Sequence, residues 1–526
     1  MLIYLLLLIL SYIAYKWIIR NNDYFEGKGI PYAKAMFLMG SNNIFTNKRS
    51  LPEVVVNWHN QFKNDKVSGF FEFMKPIFIV RDPQLIKQLT VKDFDYFSDH
   101  RVFITEDIDV LFGKALISLK GQKWKDMRST LSPAFTGMKM RLMFDFVATV
   151  GKQTASTLRQ KIIQGGEKNF EFKELATKFT VDNIASCAFG IDINSFENPD
   201  NDFHEIAKEF LNFSKFSNVL KFVGFISIPS IMKLFDIKFF SNKLVNFFHE
   251  ATIETMKVRE QKGIVRHDMI NLLMQAKKGK LVHENNKEVI ADGFATVEEF
   301  ENGKISGKQQ WEDLDLVAQC FIFFLAGFDT VATAMTFMAY ELVANQDIQQ
   351  KLYDEIAQVE EDLDGQMLTY EKLQTMKYMD QVVSEALRKW PPAPVTDRIC
   401  TKDYQVAFDD KKFVIEKGMN FMIPIWGIHN DPRYFPNPEK FDPERFSDEN
   451  KKNIQDSTYL PFGSGNRNCI GSRFALMEMK TVFYYLLLNF KFAVTEKTKI
   501  PLEFKKVPVG IKIEDGVWVG LEPRTV

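Results

Sequence analysis

The feature that most limits how this chain can fold is the apolar run LDLVAQCFIFFLAGFDTVATAMTFMAYELV, residues 314–343. Helix-forming residues continue through it with few breaks, and polar side chains are sparse. A helix that is apolar on nearly all sides must be buried, either inside a large protein or in a membrane. Because Asp329 is the only charge between Leu316 and Met338, a membrane span is one of these two alternatives.

The protein-core alternative is favoured. In a membrane, Gln319, Asp329 and several threonines would need partners, and a second crossing would strand the remaining chain in the lumen. Within a core helix the segment AGFDT, Ala326–Thr330, combines small residues with an acid beside an alcohol. Small residues let a bulky group approach the backbone, and an acid–alcohol pair can relay protons. A glycine and a satisfied buried aspartate remain the simpler interpretation of this segment alone.

Composition disfavours two protein classes. Of 526 residues, 46% are hydrophobic and the net charge is −1, which disfavours a nucleic-acid binder and a disordered acidic protein. Fifty phenylalanines indicate a large packed core, to which an apolar ligand pocket could be added.

The N-terminus, MLIYLLLLILSYIAYKWII, has Lys16 as its only charge, and Arg20 follows. Nineteen helical residues reach about 28 Å, close to the hydrocarbon thickness of a bilayer. The apolar core is long, the N-terminal side lacks Lys or Arg, and no clear small-residue cleavage site follows, so a signal peptide is disfavoured. We predict a retained membrane anchor at 1–20, and the positive C-terminal flank places the rest of the chain in the cytoplasm.

Past the anchor, residues 21–40 are predicted as a Gly/Pro linker and 41–526 as one domain. Short β-like runs such as 69–80, interrupted by Pro76, precede helical periodicity from about 120 to 390, and β-like runs return from about 398. The fold class is therefore mainly α with a minor β region. Residues 277–310 are polar and predicted to form a surface connection. The apolar stretch 215–235 is either a buried loop or a membrane-dipping surface at a substrate entrance.

The four cysteines lack the spacing of a zinc site or a disulfide framework. They are Cys187, Cys320, Cys400 and Cys469. Cys469 lies in PFGSGNRNCIG, residues 461–471, just before a helix-like segment. Loop N–H groups and the helix dipole would stabilise its thiolate, as a nucleophile or as a soft metal ligand. No histidine motif supplies a base for a nucleophile, so metal ligation is preferred.

A third cluster is expected to be structural. Glu385 and Arg388 in SEALRKWPPAP lie on one helical face, and Arg445 in FPNPEKFDPERF could join them. Such a cluster would hold the fold rather than act in catalysis.

These motifs together resemble the cytochrome P450 family. Phe462, Gly465, Arg467, Cys469 and Gly471 match all five anchors of its F-x-x-G-x-R-x-C-x-G haem-binding loop. The family's other motifs follow in order along the full length: W-x-x-x-R (Trp124, Arg128), A-G-x-D-T (Ala326, Gly327, Asp329, Thr330), E-x-x-R (Glu385, Arg388) and P-E-R-F (Pro443 to Phe446). Longer phrases such as LKGQKWKDMRSTLSPAFTGMKMRLMF are similar to the clan that joins animal family 3 to insect families 6 and 9, most closely family 9.

The resemblance implies a cytochrome P450 fold preceded by one N-terminal transmembrane helix, and a haem b whose iron is axially ligated by the Cys469 thiolate. Phe462 would pack beside that thiolate. The residues that resemble the family's partners of the haem propionates are Arg467, Arg128, Arg398 and Trp124. The segment FSDHR leaves open whether His100 or Arg101 makes a further propionate contact.

On the opposite side of the haem, the resemblance implies that Ala326 and Gly327 leave room for dioxygen and that Asp329 and Thr330 deliver protons. The family often has a second hydroxyl residue where this chain has Val331, so Thr330 would act without help. Substrate contacts are implied in the following places: 101–118, 215–235, near Phe321, Phe324 and Phe328, after Pro394, and around Val509.

The implied function is a membrane-bound monooxygenase of the endoplasmic reticulum with its catalytic domain in the cytoplasm. NADPH–cytochrome P450 reductase would supply electrons, with cytochrome b5 as a second candidate donor. Substrates would be lipophilic: plant toxins, insecticides, or endogenous lipids or hormones. The alternatives are a haem-thiolate isomerase or dehydratase acting on peroxides, which Asp329 and Thr330 argue against, and a non-catalytic haem- or lipid-binding protein.

Overall fold

The computed structural model describes residues 2–37, 39–41, 49–102, 104–211, 216–278, 293–297, 311–507 and 510–524. Within these ranges the predicted fold class is confirmed, since helices dominate and short strands form three small sheets. The helices are α1 Leu2–Ile19, α2 Leu51–Gln61, α3 Pro83–Lys87, α4 Val110–Lys114, α5 Gly121–Leu131, α6 Gly137–Gly165, α7 Phe172–Ile184, α8 Asp202–Leu211, α9 Phe216–Ser227, α10 Pro229–Leu234, α11 Asn242–Lys262, α12 Met269–Lys277, α13 Asp313–Ala344, α14 Gln346–Leu363, α15 Tyr370–Thr375, α16 Lys377–Lys389, α17 Ile425–His429 and α18 Ser472–Asn489. The strands are β1 Val67–Glu72, β2 Lys75–Val80, β3 Asn169–Glu171, β4 Thr396–Ile399, β5 Tyr404–Phe408, β6 Lys411–Ile415, β7 Asn420–Ile423, β8 Phe490–Ala493 and β9 Trp518–Pro523.

Helix α13 is the central element of the core. It is long and apolar enough to cross a membrane by length and composition alone, yet more than half of its most apolar stretch is buried inside the protein. Helix α7 packs closely against it, because a side chain on Gly327 would bring its Cβ within 2.6 Å of Ile184. Thr180 on α7 also donates a hydrogen bond to the Phe328 carbonyl at 3.2 Å. These contacts support the protein-core alternative for residues 314–343.

The largest sheet has the strand order β1-β2-β7-β4. Strands β1 and β2 form an antiparallel hairpin, and β7 pairs with β2 in parallel. The prediction that Pro76 interrupts the run 69–80 is wrong, since Pro76 lies inside β2 opposite Phe71. The proline is tolerated because β7 pairs with β2 only from Ile77 onwards, so the missing N–H removes no hydrogen bond to β7.

Residues 24–33 pack onto this sheet. Phe25 is fully buried, with its ring centroid 5.3 Å from those of Phe71 and Phe78. A side chain on Gly69 would collide with the Phe25 ring at 2.6 Å, so the close approach requires glycine there. The segment has no long regular element, as expected for a Gly/Pro stretch, but it is fixed against the domain.

Two other parts of the chain expose apolar side chains. Along α1 the side chains from Ile3 to Trp17 are exposed. The region of α10 exposes Ile228, Ile231, Leu234 and Phe235.

Most of the predicted connection 277–310 lies outside the described residues, and so does Val509. Residues 277 and 278 are described at the end of α12, and the internal part that is described, 293–297, is not purely a surface segment, because Ala295 is 3% exposed and belongs to the core.

Candidate functional site

The loop around Cys469 is shaped by close backbone contacts. Gly465 has φ +68°, and a Cβ there would lie 1.9 Å from the Thr90 carbonyl oxygen, so only glycine fits. The Cys469 N–H donates to the Phe462 carbonyl at 2.9 Å, which closes the loop. Cys469 is exposed although Asn468 before it is buried, and Ser472 begins α18 three residues later. The loop therefore presents a thiol outward from a rigid backbone.

A second exposed face lies on α13. Phe323, Ala326 and Thr330 have the spacing of one helical face, and the latter two are exposed in the middle of a helix that is mostly buried. The Phe135 ring lies 5.3 Å from the Phe323 ring and within 3.8 Å of the Cβ position of Gly471. Phe135 thus connects this face of α13 to the end of the cysteine loop. The exposed face of α13 and the exposed Cys469 therefore belong to one region.

The acid and the alcohol on α13 point to different neighbours. The Thr330 hydroxyl donates to the Ala326 carbonyl at 2.6 Å. The Asp329 carboxylate instead accepts from Lys173 at the start of α7, at 2.7 Å. Lys173 uses its other two N–H groups on the Asp329 carbonyl and on Thr333. Lys173 therefore holds Asp329 on the α7 side, and Gly327 also faces α7 rather than the exposed face.

Arg467 is the centre of a buried cationic cluster. Its Nε donates to the Ser98 carbonyl at 2.7 Å, and its Nη2 donates to the Leu119 carbonyl at 2.8 Å. Asp99 lies 3.4 Å from Nη2, and the guanidinium stacks on Trp124 with 3.9 Å to the ring centroid. Its Nη1 is buried and has no hydrogen-bond partner among the described residues.

Two more arginines hold the same loop. Arg398 on β4 donates to the Ser464 carbonyl at 2.8 Å and to the Asp397 carbonyl at 2.6 Å. Its Nε is buried without a partner in the described part of the chain. Arg128 on α5 donates to the carbonyl and the side-chain oxygen of Asn468, at 3.0 and 2.9 Å. All three predicted arginines and Trp124 therefore lie around the cysteine loop.

The cluster carries more positive charge than its neighbours neutralise. Burial, together with nearby Arg398, lowers the pKa of Arg467 to about 9, and Asp99 only partly opposes this. Burial also lowers the pKa of Arg398 to about 10. Both groups stay protonated at neutral pH, and each has an N–H left over. Such a cluster fits a ligand with carboxylate groups, because guanidinium groups bind carboxylates through paired N–H donors. The propionates of a haem supply that chemistry.

The two candidates in FSDHR are placed differently. The Arg101 guanidinium forms an ion pair with Glu72, with Nη2 3.0 Å from the carboxylate. The Nδ1 atom of His100 lies 3.1 Å from the Asp397 carboxylate. Burial, together with the nearby charges of Arg398 and Arg467, lowers the pKa of His100. The imidazole of His100 is therefore the member of the pair that faces the arginine cluster.

The predicted scaffold cluster forms. Arg388 is fully buried and pairs with Glu385, with Nε 2.7 Å and Nη2 2.9 Å from its oxygens. Arg388 also donates to the His429 carbonyl at 2.9 Å, and Arg445 lies 3.4 Å from Glu385. The two arginines and the Asp442 N–H together surround one carboxylate. A buried pair so completely hydrogen-bonded fixes neighbouring segments, as the sequence predicts.

Aromatic rings crowd the other side of α13. Phe321, Phe324 and Phe328 are fully buried. Their rings lie 5.1 to 6.3 Å, centroid to centroid, from one another or from those of Phe203, Phe210, Phe240 and Phe248. These rings join α8, α11 and α13 into one aromatic cluster, which we call the phenylalanine cluster.

Several residues of the site belong to no recognisable sequence motif. Asp99, Ser98 and Leu119 contact Arg467 through one carboxylate and two carbonyls, and Lys173 binds Asp329 from another helix. Backbone carbonyls leave no sequence signal. For Lys173 the only available signal would be a cation near a helix start, which is common.

Comparison with known proteins identifies the family of this chain. The chain matches the family model described as Cytochrome P450 over residues 31–516. It is similar to Cytochrome P450 9e2 of Blattella germanica, with 46% identity over 533 residues that cover 99% of this chain and 97% of the relative. Probable cytochrome P450 9f2 of Drosophila melanogaster is 44% identical, with 97% of both chains covered. Cytochrome P450 6k1 of Blattella germanica is 36% identical, with 93% of this chain and 91% of the relative covered.

These similarities confirm the resemblance to insect families 9 and 6, and they extend over nearly the whole chain. The site itself places an exposed cysteine in a glycine-shaped loop beside a cationic cluster suited to carboxylates. The chain therefore belongs to the cytochrome P450 family, haem-binding monooxygenases whose iron is held by a cysteine thiolate.

Proposed function

We propose that this protein is a membrane-bound monooxygenase in which Cys469 is the axial thiolate of haem b, and that it oxidises lipophilic substrates with electrons from NADPH. The observation that carries the proposal is the exposed Cys469 thiol on the loop that Gly465 and three arginines hold in place. When bound, the haem supplies activation of dioxygen, which the electron-donating thiolate favours.

The protein's part at the cofactor is to bind and orient it. Arg467 and Arg398 each keep a buried N–H for a propionate oxygen, and Arg128 fixes the loop at Asn468. We assign His100 to the same carboxylate environment, because Arg101 already pairs with Glu72. Trp124 stacks on Arg467 and holds its guanidinium plane. Phe462 accepts the Cys469 N–H on its carbonyl and so fixes the backbone beside the sulfur.

Proton delivery is assigned to Thr330 and Asp329. The Thr330 hydroxyl lies on the exposed face of α13 with Ala326, whose small side chain leaves that face open. Its proton is donated to the Ala326 carbonyl, so the hydroxyl oxygen would take part in proton delivery by accepting a hydrogen bond from a water. The Asp329 carboxylate is about half exposed on the α7 side while bound to Lys173, so solvent reaches it there. Gly327 contributes by letting α7 approach.

The substrate class is proposed from the family resemblance and from the exposed face of α13, where Phe323 and Ala326 are apolar. Binding there would come from burial of apolar area rather than from hydrogen bonds. The phenylalanine cluster is fully packed on the other side of α13, so its rings would support this face from behind rather than contact a substrate. Lipophilic foreign compounds such as plant toxins or insecticides suit this surface, and so do endogenous lipids or hormones. Within the predicted contact segment 101–118, helix α4 packs against the phenylalanine cluster, since the Phe112 ring lies 6.3 Å from that of Phe240.

Attachment to the endoplasmic reticulum membrane is proposed through α1, with the catalytic domain in the cytoplasm. Every described side chain of α1 up to Trp17 is exposed although nearly all are apolar. The exposed apolar side chains around α10 offer a second contact with the bilayer. NADPH–cytochrome P450 reductase, with cytochrome b5 as a second donor, would then meet the protein on the same membrane.

Deleting residues 1–20 should move most of the protein from the membrane fraction to the soluble fraction. An unchanged distribution between the two fractions would contradict α1 as the anchor.

One spectrum tests the assignment of Cys469. The reduced protein with carbon monoxide should show the red-shifted Soret band of thiolate-ligated haem, and Cys469→Ala should abolish it. Cys400→Ala is the matched control, because the Cys400 thiol is buried and donates to the Lys402 carbonyl. A wild-type spectrum without the shifted band, or a C469A variant that keeps it, would refute the assignment.

A further inference from the structure

A short turn within the insertion between α12 and α13 is docked on the protein. Residues 293–297 are described, and the Thr296 N–H donates to the Gly293 carbonyl at 2.9 Å. Ala295 at the tip of the turn is 3% exposed. A turn whose tip is buried makes contacts that a purely connecting segment does not need.

The backbone of this turn is held by one carboxylate. Asp380 on α16 accepts from the Phe294 N–H at 2.9 Å. Its other oxygen lies 3.0 Å from the ammonium of Lys480 on α18, which is 1% exposed. A Cβ on Gly293 would lie 1.7 Å from that oxygen, so the carboxylate occupies the place of a side chain. Asp380 therefore ties the turn to the helix that follows the cysteine loop.

The Phe294 side chain completes a group of three rings. Its centroid lies 5.2 Å from that of Phe446 and 5.5 Å from that of Tyr459, and these two are 5.0 Å apart. Tyr459 in turn stacks on His429, with 5.6 Å between centroids and 17° between planes. Contacts at this spacing contribute beyond simple area burial. Phe294 thus supports the Tyr459 ring, which in turn covers His429.

His429 is bonded to the start of the cysteine loop. Burial lowers the pKa of His429 to about 3, so the ring is neutral. Its Nδ1 lies 3.0 Å from the Arg388 carbonyl, which requires the proton there, and its Nε2 accepts from the Leu460 N–H at 2.7 Å. The Leu460 carbonyl accepts from Gly463 at 3.0 Å, inside the loop that ends at Cys469. The contacts from Phe294 to the loop are therefore continuous.

We propose that Phe294 is a positioning residue of the haem–thiolate site, acting through Tyr459 and His429 on the segment that leads into Cys469. The proposal rests on the assignment of Cys469 as the haem ligand. The docked turn is connected to the chain on both sides of the loop, directly at Tyr459 before it and through Asp380 at Lys480 after it. Without the ring, Tyr459 would be held less firmly and would fix His429, the partner of the Leu460 N–H, less well. With haem bound, the Cys469 sulfur would then be protonated more readily and would ligate the iron less stably.

The test uses full-length, haem-loaded protein and follows the shifted carbon monoxide band on mild heating. Phe294→Ala should convert that band to the unshifted form at least about fivefold faster than wild type. Phe294→Tyr, which keeps the ring, should restore a rate near that of wild type. Phe408→Ala is the control, because Phe408 is a half-buried ring on the β5–β6 hairpin whose neighbour is Phe413. It should lower thermal stability without accelerating conversion of the band.

Equal conversion rates for F294A and F408A at equal loss of thermal stability would overturn the proposal, since Phe294 would then be only a packing residue. An F294Y variant as labile as F294A would overturn it as well. If F294A does not incorporate haem, Phe294→Leu is measured in the same way. A wild-type protein without the shifted band would instead refute the assignment of Cys469, before any variant is compared.

Discussion

Replacing Arg467 by lysine should weaken haem binding although the charge is kept. Arg467 uses Nε on the Ser98 carbonyl and Nη2 on the Leu119 carbonyl, and Nη1 remains for the cofactor. A lysine has one nitrogen, which cannot reach these separate positions together. The substitution therefore removes at least one hydrogen bond to a charged group, which contributes about 1.5–3 kcal/mol. That free energy corresponds to roughly a 10- to 160-fold weaker haem affinity.

The assay is transfer of haem from the purified variant to an excess of a haem-free globin. Arg141→Lys is the control, because the Arg141 guanidinium is 39% exposed and pairs with Glu371 at the surface. Exposed pairs contribute about 0–1 kcal/mol, so R141K should release haem at nearly the wild-type rate. If R467K and R141K release haem at the same rate, the guanidinium of Arg467 does not bind the cofactor, and the assignment of the cationic cluster to the haem propionates fails.

Three further outcomes follow from single residues. Thr330→Ala should divert electrons from product to hydrogen peroxide while Thr330→Ser stays near wild type, measured as peroxide formed per NADPH; unchanged coupling in T330A would exclude the proton-delivery role. Gly465→Ala should lower the free energy of unfolding by about 1–2 kcal/mol because of its φ of +68°, and by more because of the clash with Thr90. Gly263→Ala, with φ +64° and nothing within 4 Å, should show only the loss due to φ. Equal shifts in melting temperature for the two variants would refute the clash. Burial raises the pKa of Asp182 to about 7 against the hydrogen bonds from Ser195 and the charge of Lys178, so the folded state holds this proton more tightly than the unfolded state. Stability is then lost as pH rises from about 4 to 7, and Asp182→Asn should gain relative stability over that window in denaturant titrations; a difference independent of pH would contradict this.

The elements that could be predicted from the sequence are those whose signal lies in residues close together in the chain. Residues 314–343 predicted α13 almost to its ends, because an apolar run of that length has few other folds available. The cysteine loop was recognisable because Gly465 and its neighbours must satisfy a tight backbone, which restricts the residue types allowed there. Pro76 was misjudged because its effect depends on which edge of β2 pairs with β7, and that is a long-range fact.

The amino-acid sequence by itself determined the mainly helical class, the family, and the identity of the candidate thiolate, since these depend on periodicity and on residues close together in the chain. Only the tertiary structure decided that His100 rather than Arg101 faces the arginines, that Lys173 holds Asp329, and that Phe294 reaches Tyr459. Each of these contacts joins segments far apart in the chain. Their geometry is set by how helices and sheet pack around α13, and packing leaves no periodic trace in the sequence.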